Sequence, residues 1–121
     1  MSDRDTTIGS ICLSAGQSLE VVLAGAITTT QPLWTATYQD MLSGRAVGSP
    51  VTNTGAANST TPVSMVAALT AGTADARLVT SWTVYNADSV SATAIIQNND
   101  GTARPVYKQV ISTLATLAVH F

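Results

Sequence analysis

The chain of 121 residues has the usual length of a single domain, and its hydrophobic content of 45% is enough for one packed core without a disulfide or a metal. Charged residues make up only 10% of the chain, against roughly 25% in an ordinary soluble domain. The formal net charge of -2 and the scattered basic residues exclude the electrostatic attraction on which nucleic-acid binding depends. A weakly charged surface loses little free energy when it is covered, so we expect assembly with other protein.

The chain begins with a polar stretch, 1–7, that carries charges of both signs, and we interpret it as an arm before a domain over 8–121. No apolar core of a signal peptide follows it, and no segment approaches about eighteen consecutive apolar residues. We therefore expect a protein that is neither exported by a signal peptide nor embedded in a membrane. The single cysteine, Cys12, cannot form an internal disulfide, and we expect it to be buried in a strand.

Strand patterns then recur at short intervals, each an alternation of apolar and polar residues closed by a turn residue. The first two cover 8–13 and 19–23, and the alternation of the second places Leu19, Val21 and Leu23 in the core.

A third strand is predicted over 33–40. Pro32 sets its entry, as proline does at the first residue of a strand. Trp34, Ala36 and Tyr38 share one face, which we expect to be an aromatic face directed to the core.

The segment 43–62 consists mostly of Gly, Ser, Thr, Asn and Pro, with Val47 and Val51 as its only large aliphatic residues. It predicts a long surface excursion with room for a short hairpin. Loops of this length are uncommon in compact domains, so we expect it either to bind a partner or simply to be mobile.

Five further strands complete the predicted set. They cover 63–69, 77–85, 92–96, 105–111 and 116–121. The second and third of these are predicted to form a hairpin, and the sequence 98–101 supplies residues tolerant of positive φ for the next tight turn. The side chains predicted to face the core from the first strand of the hairpin are Leu78, Thr80, Trp82 and Val84.

Roughly eight short strands without a convincing amphipathic helix are typical of an all-β protein built as a single antiparallel β-sandwich. Both a jelly-roll-like and an immunoglobulin-like strand order fit the pattern.

Residues suited to chemistry are scarce, and we expect neither an enzyme nor a bound cofactor or metal. The only histidine, His120, lies near the end of the chain, where we expect an outward-facing strand residue rather than a catalytic base. Cys12 and the scattered acids are not spaced as metal ligands. The aromatic residues are a candidate sugar-stacking platform, but Trp34 and Trp82 share their predicted faces with core residues.

Three segments, Gly16 to Pro32, Val84 to Asp88 and Asn98 to Thr102, resemble a family of small virion proteins of tailed bacteriophages and prophages that decorate capsids. Together with the order of strands they span most of the chain. The sequence departs from the family pattern at 112–116, which replaces an expected Pro-Gly turn, and at the bland segment 43–62.

The resemblance implies a structural protein with a β-sandwich-like fold, a capsid decoration or cement protein. It implies a homotrimer on the outer surface of the capsid, made in the cytoplasm of the bacterial host, that binds where major capsid protein subunits meet and stabilises the shell. Arg45, Arg77 and Arg104 are candidate contacts with that partner, and the arm 1–7 is a candidate segment that orders on docking.

Two alternatives stay open beside this one. The first is a receptor-binding, glycan-binding or structural module of a phage tail fibre or baseplate, which as a sugar binder requires exposed aromatic residues. The second is a small hydrolase on a β scaffold, which the scarcity of histidine disfavours.

Overall fold

The computed structural model describes residues 11–69 and 74–120, so the arm predicted at 1–7 lies outside the described residues. Within these ranges the chain forms ten strands and no helix, which confirms the predicted all-β class. The strands are β1 (Ile11–Ser14), β2 (Ser18–Leu23), β3 (Leu33–Leu42), β4 (Arg45–Ala46), β5 (Val51–Ala56), β6 (Val63–Val66), β7 (Ala76–Tyr85), β8 (Ala92–Asn99), β9 (Ala103–Ile111) and β10 (Thr116–His120).

The first sheet has six strands and is built around β3 and β7, which pair antiparallel along their length. The free side of β3 pairs with β5 and with the short β4. The free side of β7 pairs with two strands, one after the other. β1 pairs with its first part, up to Val79 opposite Ile11, and β10 pairs with its second part, from Ser81 opposite His120. The two ends of the described chain therefore meet on one edge of this sheet.

The second sheet has four antiparallel strands in the order β6, β2, β8, β9. Its edge strand β9 is exposed along most of its length. Pro105, Lys108 and a β-bulge beside Gln97 lie on this edge, and such features discourage uncontrolled pairing with other strands.

The two sheets pack over one hydrophobic core, which confirms the predicted sandwich. The predicted core positions of β2 and β3 are all buried. Each fully buried aliphatic side chain contributes about 1.5–3 kcal/mol to folding. Fully buried hydrophobic residues are Leu13, Val79, Trp82 and Val84 from the first sheet, and Leu19, Val21, Met65, Val66 and Ile96 from the second.

The hairpin predicted from 77–85 and 92–96 is wrong, because β7 belongs to the first sheet and β8 to the second. The connection between them crosses from one sheet to the other. The predicted inner face of β7 is also wrong in its first half. A bulge opposite Thr37 and Tyr38 makes Thr80 an extra residue, so that Val79 is buried and Leu78 is not.

The segment 43–62 holds β4 and β5 instead of running as an open excursion. The polar composition of β5 does not predict a strand. It forms one because it pairs with β3 over six positions, which gives its backbone groups hydrogen-bond partners. Gly55 lies opposite Trp34, and a β-carbon at position 55 would stand 2.7 Å from Cζ2 of the indole. The missing side chain is what allows the ring to lie under β5.

Cys12 is exposed, contrary to the prediction that it is buried. It is the outward neighbour of Leu13, whose side chain has no exposed surface. The alternation in β1 therefore assigns the inner position to the leucine.

The antiparallel pairing gathers the connections between strands at two ends of the sandwich. One end, which we call the loop end, consists of the connections 24–32, 57–62, 86–91 and 112–115. The opposite end, which we call the turn end, carries the connections 15–17, 43–44, 47–50, 67–75 and 100–102, of which 70–73 lie outside the described residues.

Candidate interaction face at the loop end

Asn86 follows β7 directly and is completely buried. Its side-chain Nδ2 donates hydrogen bonds to the carbonyl oxygens of Val90 and Ile111, both at 2.9 Å. Its backbone nitrogen donates to the carbonyl oxygen of Ala115 at 2.9 Å, and its carbonyl oxygen accepts from the nitrogen of Leu114 at 2.8 Å. One residue thus joins the connection 86–91 to the end of β9 and to the turn that follows it.

Asp88 lies two residues further on and is 2% exposed. Its carboxylate accepts hydrogen bonds from the backbone nitrogens of Thr28, Thr29 and Thr30 at 2.8, 2.7 and 3.2 Å. It also accepts from the nitrogen of Ser89 at 2.8 Å. The bond from Thr28 above all, with those from Thr29 and Ser89, holds the pKa of Asp88 far below its ordinary value, against the opposing effect of burial.

Asn86 and Asp88 are also linked to each other. The backbone nitrogen of Asp88 donates to Oδ1 of Asn86 at 3.0 Å, which forms an Asx turn. The hydroxyl of Thr113 donates to the carbonyl oxygen of Asp88. The Asp88 carboxylate thus joins the connections 24–32 and 86–91, and the backbone of Asn86 with the Thr113 hydroxyl joins 86–91 to 112–115.

The fourth connection, 57–62, is attached by Gln31 and Ser59. Nε2 of Gln31 donates to the hydroxyl of Ser59 at 3.0 Å, and the nitrogen of Ser59 donates to Oε1 of Gln31 at 2.9 Å. The carbonyl oxygen of Ser59 accepts from the nitrogen of Leu23 at 3.0 Å. The loop end is therefore a rigid surface, because all four of its connections are cross-linked by hydrogen bonds.

Exposed charge is missing from this surface. Within the four described connections the only ionisable side chain is Asp88, and it is buried. Glu20 and Lys108 lie within strands, and the remaining acidic and basic side chains that the structure describes, His120 apart, lie at or next to the turn end. They are Asp40, Arg45, Asp75, Arg77, Asp100 and Arg104.

Apolar side chains stand out at the loop end instead. Val90 is 46% exposed and Leu114 is 69% exposed. Leu114 also has a φ of 60°, a left-handed conformation that is uncommon for a leucine. The loop end thus presents aliphatic groups on a rigid and uncharged background, which is the composition of the central part of a protein interface.

The three arginines predicted as partner contacts all lie toward the turn end, but they differ in freedom. Arg77 is half-buried and forms an ion pair with Asp40, with Nε 2.9 Å from Oδ1. It also donates to the carbonyl oxygen of Ala67 at 2.9 Å, and its guanidinium lies 4.7 Å from the ring centre of Tyr38. Arg77 therefore has a structural role within the domain.

Arg104 and Arg45 are exposed, and they lie on different sheets. Nη1 of Arg104 lies 2.6 Å from both carboxylate oxygens of Asp100, and this contact lowers the pKa of Asp100. Arg45 follows the tight turn between β3 and β4. The structure does not bring the three arginines together into one site.

The aromatic residues within 11–69 and 74–120 do not form an exposed platform. Trp34 and Trp82 are 6% and 1% exposed, as their alternation with core residues predicted. Tyr107 packs edge-on against Trp82, with ring centres 6.0 Å apart. His120 is exposed at the end of β10, as predicted.

The polar side chains that organise the loop end have a structural role. The Asp88 carboxylate accepts four hydrogen bonds at Oδ1 and one at Oδ2, all from donors of the chain, so its charge serves to hold the connections together. Among residues 11–69 and 74–120, histidine, cysteine and acidic side chains do not cluster as metal ligands do. No helix capable of crossing a membrane occurs in these ranges.

The hairpin predicted from 77–85 and 92–96 implies a turn at 86–89, but it does not indicate the structural role of that turn. The signal was present in the residue types, since an Asn two residues before an Asp at the end of a strand is a common turn-forming pair. The partners of Asp88 at 28–30 could not be identified, because they lie about sixty residues away in the chain.

Comparison of the chain with protein-family models, with curated proteins and with solved structures finds no match.

Proposed function

We propose that this protein is a structural component of a bacteriophage virion, a decoration protein that docks on the capsid through its loop end. The observation that carries the proposal is the combination of rigidity and missing charge at that end. Four connections are fixed by hydrogen bonds, and the exposed surface offers Val90 and Leu114 without an ionisable group. Covering such a surface costs little desolvation free energy and little conformational entropy.

The charge distribution at the turn end also supports docking through the loop end. Charged side chains collect there, and Asp100 and Arg104 already satisfy each other in an exposed pair. Exposed ion pairs of this kind contribute little to binding, and charged groups are costly to cover. A domain that docks through its loop end leaves the charged turn end in water.

The capsid-bound form is proposed to be a homotrimer that contacts major capsid protein subunits where they meet. A single small contact with the shell is weak, but three linked contacts raise the overall affinity by about 10² to 10⁴. Covering the joints between subunits opposes the outward pressure of packaged DNA.

The sugar-binding alternative is not supported by the side chains that it needs. Both tryptophans lie in the core, and Tyr38 is 8% exposed. Stacking on a sugar ring requires an accessible aromatic face, whereas Tyr85 and Tyr107 are only partly exposed and Tyr107 packs against Trp82.

The proposal is tested by co-sedimentation with expanded capsid shells of the phage that encodes the chain. Val90→Asp places a charge at the loop end, and Val51→Asp is the matched control, because Val51 is similarly exposed, at 39%, and lies next to the turn end. We expect the wild-type protein and Val51→Asp to bind the shells, and Val90→Asp to bind at least about tenfold more weakly. Circular dichroism and urea unfolding verify that both variants are folded.

Two results would contradict the proposal. Equal binding by Val90→Asp and Val51→Asp would show that the loop end is not the docking surface. A wild-type chain that stays monomeric at micromolar concentration and does not bind shells would count against decoration itself.

A further inference from the structure

The connection between β9 and β10 is a turn of four residues, 112–115, closed by a hydrogen bond of 3.1 Å from the nitrogen of Ala115 to the carbonyl oxygen of Ser112. Leu114 occupies the third position with a φ of 60°. A positive φ at this position of a turn favours glycine, because a side chain meets the backbone there. The leucine side chain is 69% exposed, so packing in the domain does little to offset this strain.

The strand after this turn is held on one side only. β10 pairs with β7 over five positions, from Thr116 opposite Tyr85 to His120 opposite Ser81. On its other side a groove of about 420 Å³ separates it from β9. β10 is therefore a short strand on a strained connection, with few contacts to the strand that precedes it.

The site that β10 occupies is specific for β10. Leu117 and Val119 project from it toward the core, where they are half-buried beside Trp82 and Val84. If β10 left, these two buried residues of β7 would be opened to water. A second copy of the chain carries the strand whose register and side chains fit that position.

We propose that copies of this chain associate by exchanging β10, with Leu114 as the hinge. When Leu114 takes an extended conformation, its strain is relieved and β9 continues directly into β10. The strand then pairs with β7 of a neighbouring copy, and that copy passes its own β10 onward. Short connections under strain favour exchange of this kind, and a heterologous contact whose rotation closes forms a ring such as a trimer.

Three hydrogen bonds hold the connection 112–115 to the connection 86–91. Two of them, from the Leu114 nitrogen to the Asn86 carbonyl oxygen and from the Thr113 hydroxyl to the Asp88 carbonyl oxygen, are given up when the hinge extends. The third is kept. The bond from the nitrogen of Asn86 to the carbonyl oxygen of Ala115 joins β7 to the residue just before β10. An incoming β10 brings Ala115 with it, so this bond re-forms between two chains.

The exchange opens the connection 112–115, but the bonds of Asp88 to Thr28 and Thr29 and of Gln31 to Ser59 do not involve it, so Val90 and the other three connections keep their arrangement. The inference rests on the premise of the proposed function that copies associate, and it does not depend on docking to a capsid.

A disulfide across the β7–β10 pair distinguishes exchange from other association. Thr83 and Ala118 lie directly opposite each other, and Thr83→Cys with Ala118→Cys is made in a Cys12→Ser background. The purified oligomer is oxidised and run on a denaturing gel without reductant. We expect bands of linked chains up to the closed ring, which collapse to one chain on reduction.

The control pair is Thr37→Cys with Thr52→Cys, whose hydroxyls lie 2.9 Å apart between β3 and β5. These strands are not exchanged, so its disulfide stays within one chain. An oligomer in which the β7–β10 pair also links only within one chain would overturn the exchange and leave the proposed function standing. A wild-type chain that is monomeric at micromolar concentration would overturn the exchange and would also count against the proposed function.

The hinge itself is tested by Leu114→Gly and Leu114→Pro. Glycine adopts the closed turn without strain, so we expect the concentration at which the oligomer dissociates to rise by about tenfold or more. Proline cannot adopt a positive φ and favours the extended hinge, so we expect its oligomer to persist on dilution. Analytical ultracentrifugation measures both, and a glycine variant that dissociates like the wild type would overturn the role of Leu114.

Discussion

The Asp88 carboxylate accepts hydrogen bonds from both the backbone nitrogen and the hydroxyl of Thr29, at 2.7 and 2.9 Å. These bonds connect the segment that leaves β2 with the segment that leaves β7, two strands that belong to different sheets. The ends of the two sheets are thus fixed to each other by a buried charge whose partners are neutral donors of the backbone and a hydroxyl.

We expect Asp88→Asn to lower the midpoint of thermal unfolding by several degrees at neutral pH. The amide has one acceptor oxygen and adds donors where the site already contains donors. Thr29→Val removes only the hydroxyl and keeps the backbone bond, so it is the milder control. Calorimetry of the variants measures whether the unfolding midpoint falls more in Asp88→Asn than in Thr29→Val. An Asp88→Asn protein as stable as the wild type would mean that the loop end is held by other contacts.

The same group makes stability depend on pH. The pKa of Asp88 is lowered in the folded chain, so its contribution is complete above the ordinary value of 3.8 and is lost as the pH falls toward the lower folded value. We expect the stability difference between wild type and Asp88→Asn to be constant near neutral pH and to shrink below about pH 4. Urea unfolding at a series of pH values measures it, and a difference independent of pH down to acid would contradict the assignment.

Asn86→Ala is expected to destabilise the domain by about 2–4 kcal/mol, because it leaves the carbonyl oxygens of Val90 and Ile111 buried without their donor. Asn58→Ala is the matched control, since Asn58 is exposed at the same end of the sandwich. Urea denaturation followed by tryptophan fluorescence gives both free energies of unfolding. Equal losses in the two variants would contradict a central role for Asn86.

Gly55→Ala is expected to lower the free energy of unfolding by about 1–3 kcal/mol, the usual cost of adding a methyl group to a filled core. The new β-carbon would stand 2.7 Å from Trp34 Cζ2, and the indole is enclosed under β5. Gly25→Ala is the control, because nothing lies within 4 Å of a β-carbon at that position. A shift of tryptophan fluorescence in the first variant alone would accompany the loss.

Alternation of apolar residues was enough to predict the class of fold and the inner faces of β2 and β3. It failed in β7, where the extra residue Thr80 reverses the alternation, because a bulge is set by the pairing with β3 and leaves no mark in β7 itself. It also missed β5, whose polar residues become a strand only because the edge of β3 is available to them.

The candidate site was less predictable than the fold. The residues that organise the loop end, Asn86 and Asp88, looked like ordinary turn residues, and their importance comes from partners distant in sequence. The arginines predicted as partner contacts lie toward the turn end, and Arg77 forms an ion pair with Asp40 inside the domain. The low charge of the chain was a useful signal for the candidate site. The fold places the few charged side chains away from the loop end, so that this end has no exposed charge.

Cys12 provides a direct test of the strand phase in β1. Because its side chain faces outward, we expect Ellman's reagent to react with the native protein about as fast as with the unfolded chain. Ala94→Cys in a Cys12→Ser background is the matched control, since Ala94 has no exposed surface and its thiol should react only after unfolding. A native Cys12 that reacts as slowly as the buried control would mean that β1 places Cys12 inside instead of Leu13. In that case the packing of β1 on β7, and with it the divided edge on which β10 docks, would have to be revised.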